Sequence, residues 1–172
     1  MTSERPPDPA VTTPGAAVEL PRRPLAELHA ASNLLWREYW MLRCAARIVS
    51  DDAAVTGALE ESFALHVRNL DRFLYADDAS VGAIAAEDFL GERWSALRPE
   101  RSQMLADVLA WAEQTLSPPV YARAGASRPA RFWTLVQASF ELQKVMDTFI
   151  SNLPRNLLGS CWKVVYDKDH AV

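Results

Sequence analysis

The chain has 172 residues, 49% hydrophobic and 23% charged, with 18 basic against 22 acidic side chains and a formal net charge of −4. That is enough apolar material for one domain with a real core and too much for a disordered chain. The acidic balance argues against a strongly basic nucleic-acid or membrane-surface protein.

Six of the eleven prolines fall within the first 24 residues, among them Pro6, Pro7, Pro9 and Pro14. Residues 1–23 therefore read as an extended, disordered tail, and 24–172 as a single domain. The tail lacks a basic start followed by an apolar run, and no stretch approaches the length of a membrane span. The expectation is a cytoplasmic protein with no membrane partner. A composition rich in Ala, Arg and Pro suggests a bacterial, GC-rich source.

Leu28, Leu35, Leu42 and Val49 recur every seven residues and predict a helix over 25–49, with Ala31, Tyr39 and Ala46 on the same side. Ser50, Asp51 and Asp52 supply a turn and an N-cap for a second helix over 53–75, whose stripe is Val55, Leu59, Phe63, His66, Leu70 and Phe73. A loop and a short helical turn carrying Phe89 and Trp94 follow. Pro99 is placed to open a third long helix that buries Leu105, Val108, Leu109, Ala112 and Leu116, with Pro118-Pro119 as its stop. Ser127 and Pro129 open a fourth, with the stripe Phe132, Val136, Ser139, Phe140, Gln143, Met146 and Ile150, ending before Pro154. In the final stretch, Leu157 to Val172, the apolar run LLGSCWKVVY is expected to pack back on the helices. These elements predict an all-α, antiparallel four-helix bundle with a short extra helix between helices two and three.

His66 lies at the centre of its stripe, and a buried polar group needs a partner. The expected buried polar core is His66 with Gln143, Ser139 or Tyr39, and Asp147 lies at the edge of the same face. The other reading makes His66 a general acid or base. No Glu-x-x-His pair occurs on any helix, and His29 and His170 lie at a helix start and in the tail. No metal site and no cofactor are expected. Asp77, Asp78, Glu87 and Asp88 match no calcium-loop spacing and read as helix caps and arginine partners. Arg123, Arg128 and Arg131 read as solvated charge. Cys44 and Cys161 read as reduced and inert.

On the first helix Trp36, Trp40, Arg43 and Arg47 fall within about 60° of one another, away from the leucine stripe. Three readings stay open for this candidate interaction surface: cover by the chain itself, a homodimer contact, or base stacking in a single-strand binder.

The stretch Glu61-Ser-Phe-Ala-Leu-His66-Val-Arg68-Asn69-Leu70, with Asp77-Asp78 and Asp88-Phe89 after it, resembles a group of small bacterial helical proteins with no assigned activity. It covers about a quarter of the chain. More remotely, the helices and the Arg68-Asn69 pair resemble the HEPN superfamily, whose active members are ribonucleases with a histidine four to six residues after the arginine. That resemblance makes His66, Arg68 and Asn69 the catalytic candidates. The positions after Asn69 hold no histidine, and His66 points about 160° away from Arg68 on a helix. The expected function is a non-enzymatic protein-interaction or regulatory module, a homodimer or partner-bound. The alternative is a HEPN-like RNA-binding protein or toxin-type ribonuclease, so whether the chain is an enzyme stays open.

Overall fold

A computed structural model describes residues 23–76, 83–117 and 132–162. The described residues are all-helical, with no strand among them. The expected tail over 1–23 lies outside them except for Arg23. Its guanidinium donates to the Ala83 carbonyl at 2.7 Å and meets Asp88 at 3.2 Å, so this residue belongs to the folded part.

Helix α1 spans Leu25–Ala45 and buries Leu28, Leu35, Tyr39 and Leu42. It stops four residues short of the predicted end. The Arg47 amide bonds Cys44 O, closing a tighter i to i+3 turn, and the chain needs residues 46–52 to reverse. Val49, the last of the predicted stripe, is 73% exposed. Helix α2 covers Ala53–Tyr75 as expected, and Asp52 caps it by accepting from the Ala54 and Val55 amides. Two short helices follow, α3 at Glu87–Leu90 and α4 at Arg93–Leu97.

Helix α5 runs Gln103–Leu116, so it does not start at Pro99. Proline drives the preceding residue out of helical geometry, and Arg98 is extended with ψ 121°. The Pro99 carbonyl accepts from the Tyr75 hydroxyl at 3.1 Å, and Ser102 caps the helix by accepting from the Leu105 amide. Helix α6 runs Phe132–Asn152, and a 3₁₀ turn at Arg155–Leu157 leads into a helical segment at 160–162. The predicted cap residues Ser127 and Pro129 lie outside the described residues, as do Asp77, Asp78, Arg123, Arg128, Arg131 and His170.

Helix α6 buries Leu135, Ala138, Ser139, Leu142, Val145, Met146, Phe149 and Ile150, so Ser139, Met146 and Ile150 of the predicted stripe do reach the core. That face is rotated by about a quarter turn from the predicted stripe. Phe140 is 52% exposed, and Val136 and Gln143 are half-buried. Two apolar stripes run side by side on this helix, and the one with Leu135, Leu142 and Phe149 at spacing seven wins the core.

Helix α2 packs against α1, α5 and α6. The α3–α4 unit carries Phe89 and the fully buried Trp94 into a cluster where Phe73, Phe89 and Trp94 all meet Phe149 edge-on at 5.2–5.7 Å. Edge-on contact sets the positive ring edge against a negative face. Trp94 Nε1 donates to the Leu74 carbonyl at 2.7 Å, so its one polar atom is satisfied. No helix among the described residues is long and apolar enough to cross a membrane.

Candidate functional site

The centre of the α1–α2 seam is polar. His66 Nδ1 lies 2.8 Å from Glu38 Oε2, and the Asn69 amide donates to the same oxygen at 3.0 Å. A carboxylate oxygen accepts, so His66 donates from Nδ1. This corrects the expected partners: His66 is held by Glu38, not by Gln143, Ser139 or Tyr39. Ser139 is buried but donates its hydroxyl to Val136 O within its own helix, and Asp147 is exposed. Tyr39 is buried on the other flank of α1, where burial raises its pKa above the usual 10.0 against the lowering effect of Arg43.

The catalytic candidates separate. His66 and Asn69 turn to Glu38 on α1, whereas Arg68 faces α5, with Nη1 4.0 Å from Glu113. Arg72 joins that carboxylate at 2.9 Å. Residues 66 and 69 share a side of a helix and residue 68 does not, so the local geometry follows directly from the spacing.

On the far flank of α1, Trp36, Tyr39 and Trp40 line up, and Trp162 closes on them. Trp36 meets Trp162 edge-on at 4.8 Å, and Tyr39 stacks on Trp162 at 5.9 Å. The C-terminal segment is pinned by the bond of Trp162 Nε1 to Ser32 O at 2.7 Å, and by the Gly159 and Cys161 amides bonding the Ser32 and Asn33 side chains. His29 Nε2 meets Asn156 O at 2.6 Å, which ties up that histidine. Gly159 has no room for a side chain: a Cβ there would run into the Asn33 amide and come within 2.9 Å of His29 O. Arg43 lies over the Tyr39 ring at 5.4 Å. Of the expected surface, Trp36 and Arg43 are therefore taken up by the chain itself, and Trp40 and Arg47 stay exposed.

The opposite flank of α1 has no such cover. Leu34 is 63% exposed and Met41 36%, and Ile48, Val49 and Val55 stand out around the turn into α2. Leu65 of α2 lies one residue from His66 and is also exposed. Among the described residues, eight of the nine exposed large hydrophobics fall between residues 25 and 65, so the apolar excess is concentrated on one hairpin, with Trp40 on its aromatic flank. Sequence reasoning missed this flank although a signal was present. Leu34, Met41 and Ile48 each immediately precede a member of the Leu35–Leu42–Val49 stripe and repeat its spacing of seven. Glu38 was missed because no pattern within one helix shows which residue of a second helix will face it.

A third cluster is structural. Arg101 grips Asp71 at 2.9 and 3.1 Å and lies over the Tyr75 ring at 4.5 Å, with Arg98 over the same ring at 5.0 Å. Burial raises the Asp71 pKa despite Arg101, and burial likewise raises that of Tyr75. Ser102 also donates to Glu141 of α6. Asp88 accepts from the Ala85 amide at 2.9 Å and pairs with Arg23, the capping and ion-pair role expected of it. Cys44 and Cys161 are free, the latter exposed. No group of three metal-ligating side chains occurs among the described residues. No family model, curated protein or solved structure matches the chain.

Proposed function

We propose that this chain is a non-enzymatic interaction module of the bacterial cytoplasm, an antiparallel four-helix bundle whose exposed α1–α2 face pairs with a second copy. One observation carries the reading: the exposed large hydrophobics concentrate on a single hairpin. Singly scattered apolar residues need no explanation, but a contiguous apolar patch marks an interaction site. A helix of 21 residues is about 30 Å long, and two side by side span about 20 Å. The footprint of such a face is about 600 Å², somewhat below the roughly 800 Å² that a standard interface buries per partner. Self-pairing across a two-fold axis needs only one such patch.

Sedimentation equilibrium tests this. The wild-type chain sediments as a dimer, and the double variant Leu34→Asp, Met41→Asp sediments as a monomer with unchanged helicity. A wild-type monomer throughout the micromolar range, or a variant that still dimerises, refutes the reading. The RNA-directed alternative requires salt-sensitive RNA binding through Trp40 and Arg47, or cleavage lost in His66→Ala. The division of His66 and Arg68 between two sides of α2 speaks against the cleavage form.

A further inference from the structure

Beside the polar seam a groove of about 400 Å³ runs along α1, within the range of small-molecule sites. Its wall is apolar, made of Ala31, Leu34, Leu35, Phe73 and Ile84, with the small, exposed Ala30 at its rim. The polar side chains lining it are both acidic, Glu27 and Glu38, about 16 Å apart along the helix axis.

The two carboxylates differ. Glu27 is largely exposed and has Arg23 at 3.7 Å. Glu38 is mostly buried, its side chain 29% exposed, and is fixed in place by His66 and Asn69. Both donors converge on Oε2, which leaves Oε1 without a hydrogen-bond partner among the described residues. An immobilised, partly desolvated carboxylate at one end of a hydrocarbon-lined groove matches a cation with an apolar body. The charge-assisted hydrogen bond orients the ligand, and the apolar wall supplies contact area. An anionic ligand meets two like charges, and a neutral donor gains a hydrogen bond to Glu38 without the attraction between opposite charges.

We propose that this groove binds a small organic ammonium ion, its aryl or alkyl body on Ala31, Leu35 and Phe73 and its ammonium on Glu38. Leu34 lines both this groove and the self-pairing face, so the two proposals are separated by titrating the wild type and also Met41→Asp, which weakens self-pairing without touching the groove lining.

The test is calorimetric titration of the full chain with phenylbutylammonium, phenylbutanol and phenylbutyrate, which share a body and differ in the head group. The ammonium binds at least about tenfold more tightly than the alcohol, and the carboxylate does not bind. Glu38→Gln keeps an acceptor for His66 and abolishes the preference for ammonium over alcohol. Ala30→Trp fills the groove from its exposed rim and abolishes binding of all three, with the circular dichroism spectrum unchanged. Equal affinity for ammonium and alcohol, undiminished binding in Ala30→Trp, or no ammonium binding at millimolar concentration overturns the proposal.

Discussion

Both flanks of α1 carry large apolar side chains, and these meet different fates. On one, Trp36 and Tyr39 are closed over by Trp162, and the closing segment is fixed by Ser32, Asn33 and the bare backbone of Gly159. On the other, Leu34 and Met41 stay exposed, with only Glu38, His66 and Asn69 forming a polar seam beneath them. What decides cover is not hydrophobicity but whether the chain provides a segment with matching hydrogen bonds. On the aromatic flank residues 157–162 are that segment for Trp36 and Tyr39, while Trp40 stays exposed. The aliphatic flank has no such segment among the described residues, and it is the face proposed above to take a second copy.

The sharpest way to break this contrast is to uncover the closed flank. Trp162→Ala removes a buried indole in contact with Trp36 and Tyr39, and the expected loss is about 3–5 kcal/mol in chemical denaturation. Acrylamide quenching of the remaining tryptophans should rise with it. Gly159→Ala acts on the same segment through its backbone. The added methyl pushes against Asn33 and His29, with an expected loss of about 1–3 kcal/mol. If Gly159→Ala leaves the melting temperature unchanged, the segment is not held in the way described.

A pH titration probes the covered flank without mutation. Burial raises the Tyr39 pKa, and that of Tyr75, above the ordinary 10.0. Between the unfolded and folded values the unfolded chain binds fewer protons, so stability falls as pH rises. Denaturant melts at pH 9 and above should show that decline starting near 10.0, and Tyr39→Phe should make it shallower. Asp71 works in the same direction at the acid end. Its raised pKa means that its contribution worsens as pH climbs from 3.8 toward the folded value, and Asp71→Asn removes that slope. The smallest stability change belongs to the open flank. Leu34→Asp alters an exposed site and should shift stability by no more than about 0.5 kcal/mol while weakening self-association. A large loss of stability there would mean that Leu34 is already covered within the chain.

Much of the helical layout was legible in the residues. The span of α2, its Asp52 cap and the end of α6 before Pro154 follow from local signals that a single helix contains. The start of α5 was missed because Pro99 offered a plausible first turn, whereas the decisive contacts, Tyr75 on Pro99 O and Arg101 on Asp71, come from another helix. The face of α6 was legible only in part, at Ser139, Met146 and Ile150, because two stripes compete on one helix and only the neighbours choose between them. The candidate site shows the same division. Burial of His66 was readable from its stripe, but its partner Glu38 was not, since pairing across the seam depends on how α1 and α2 slide against each other. The aromatic surface on α1 was recognised, and cover by the chain itself stood among the readings left open, though not which segment supplies it.

Hydroxyl-radical footprinting of the chain at nanomolar and at high micromolar concentration tests the central contrast most directly, because it reads both flanks of α1 in one sample. Trp36 should be protected at both concentrations, and Leu34 and Met41 should be labelled when dilute and protected when concentrated. Labelling of Leu34 and Met41 that does not change with concentration would contradict the account.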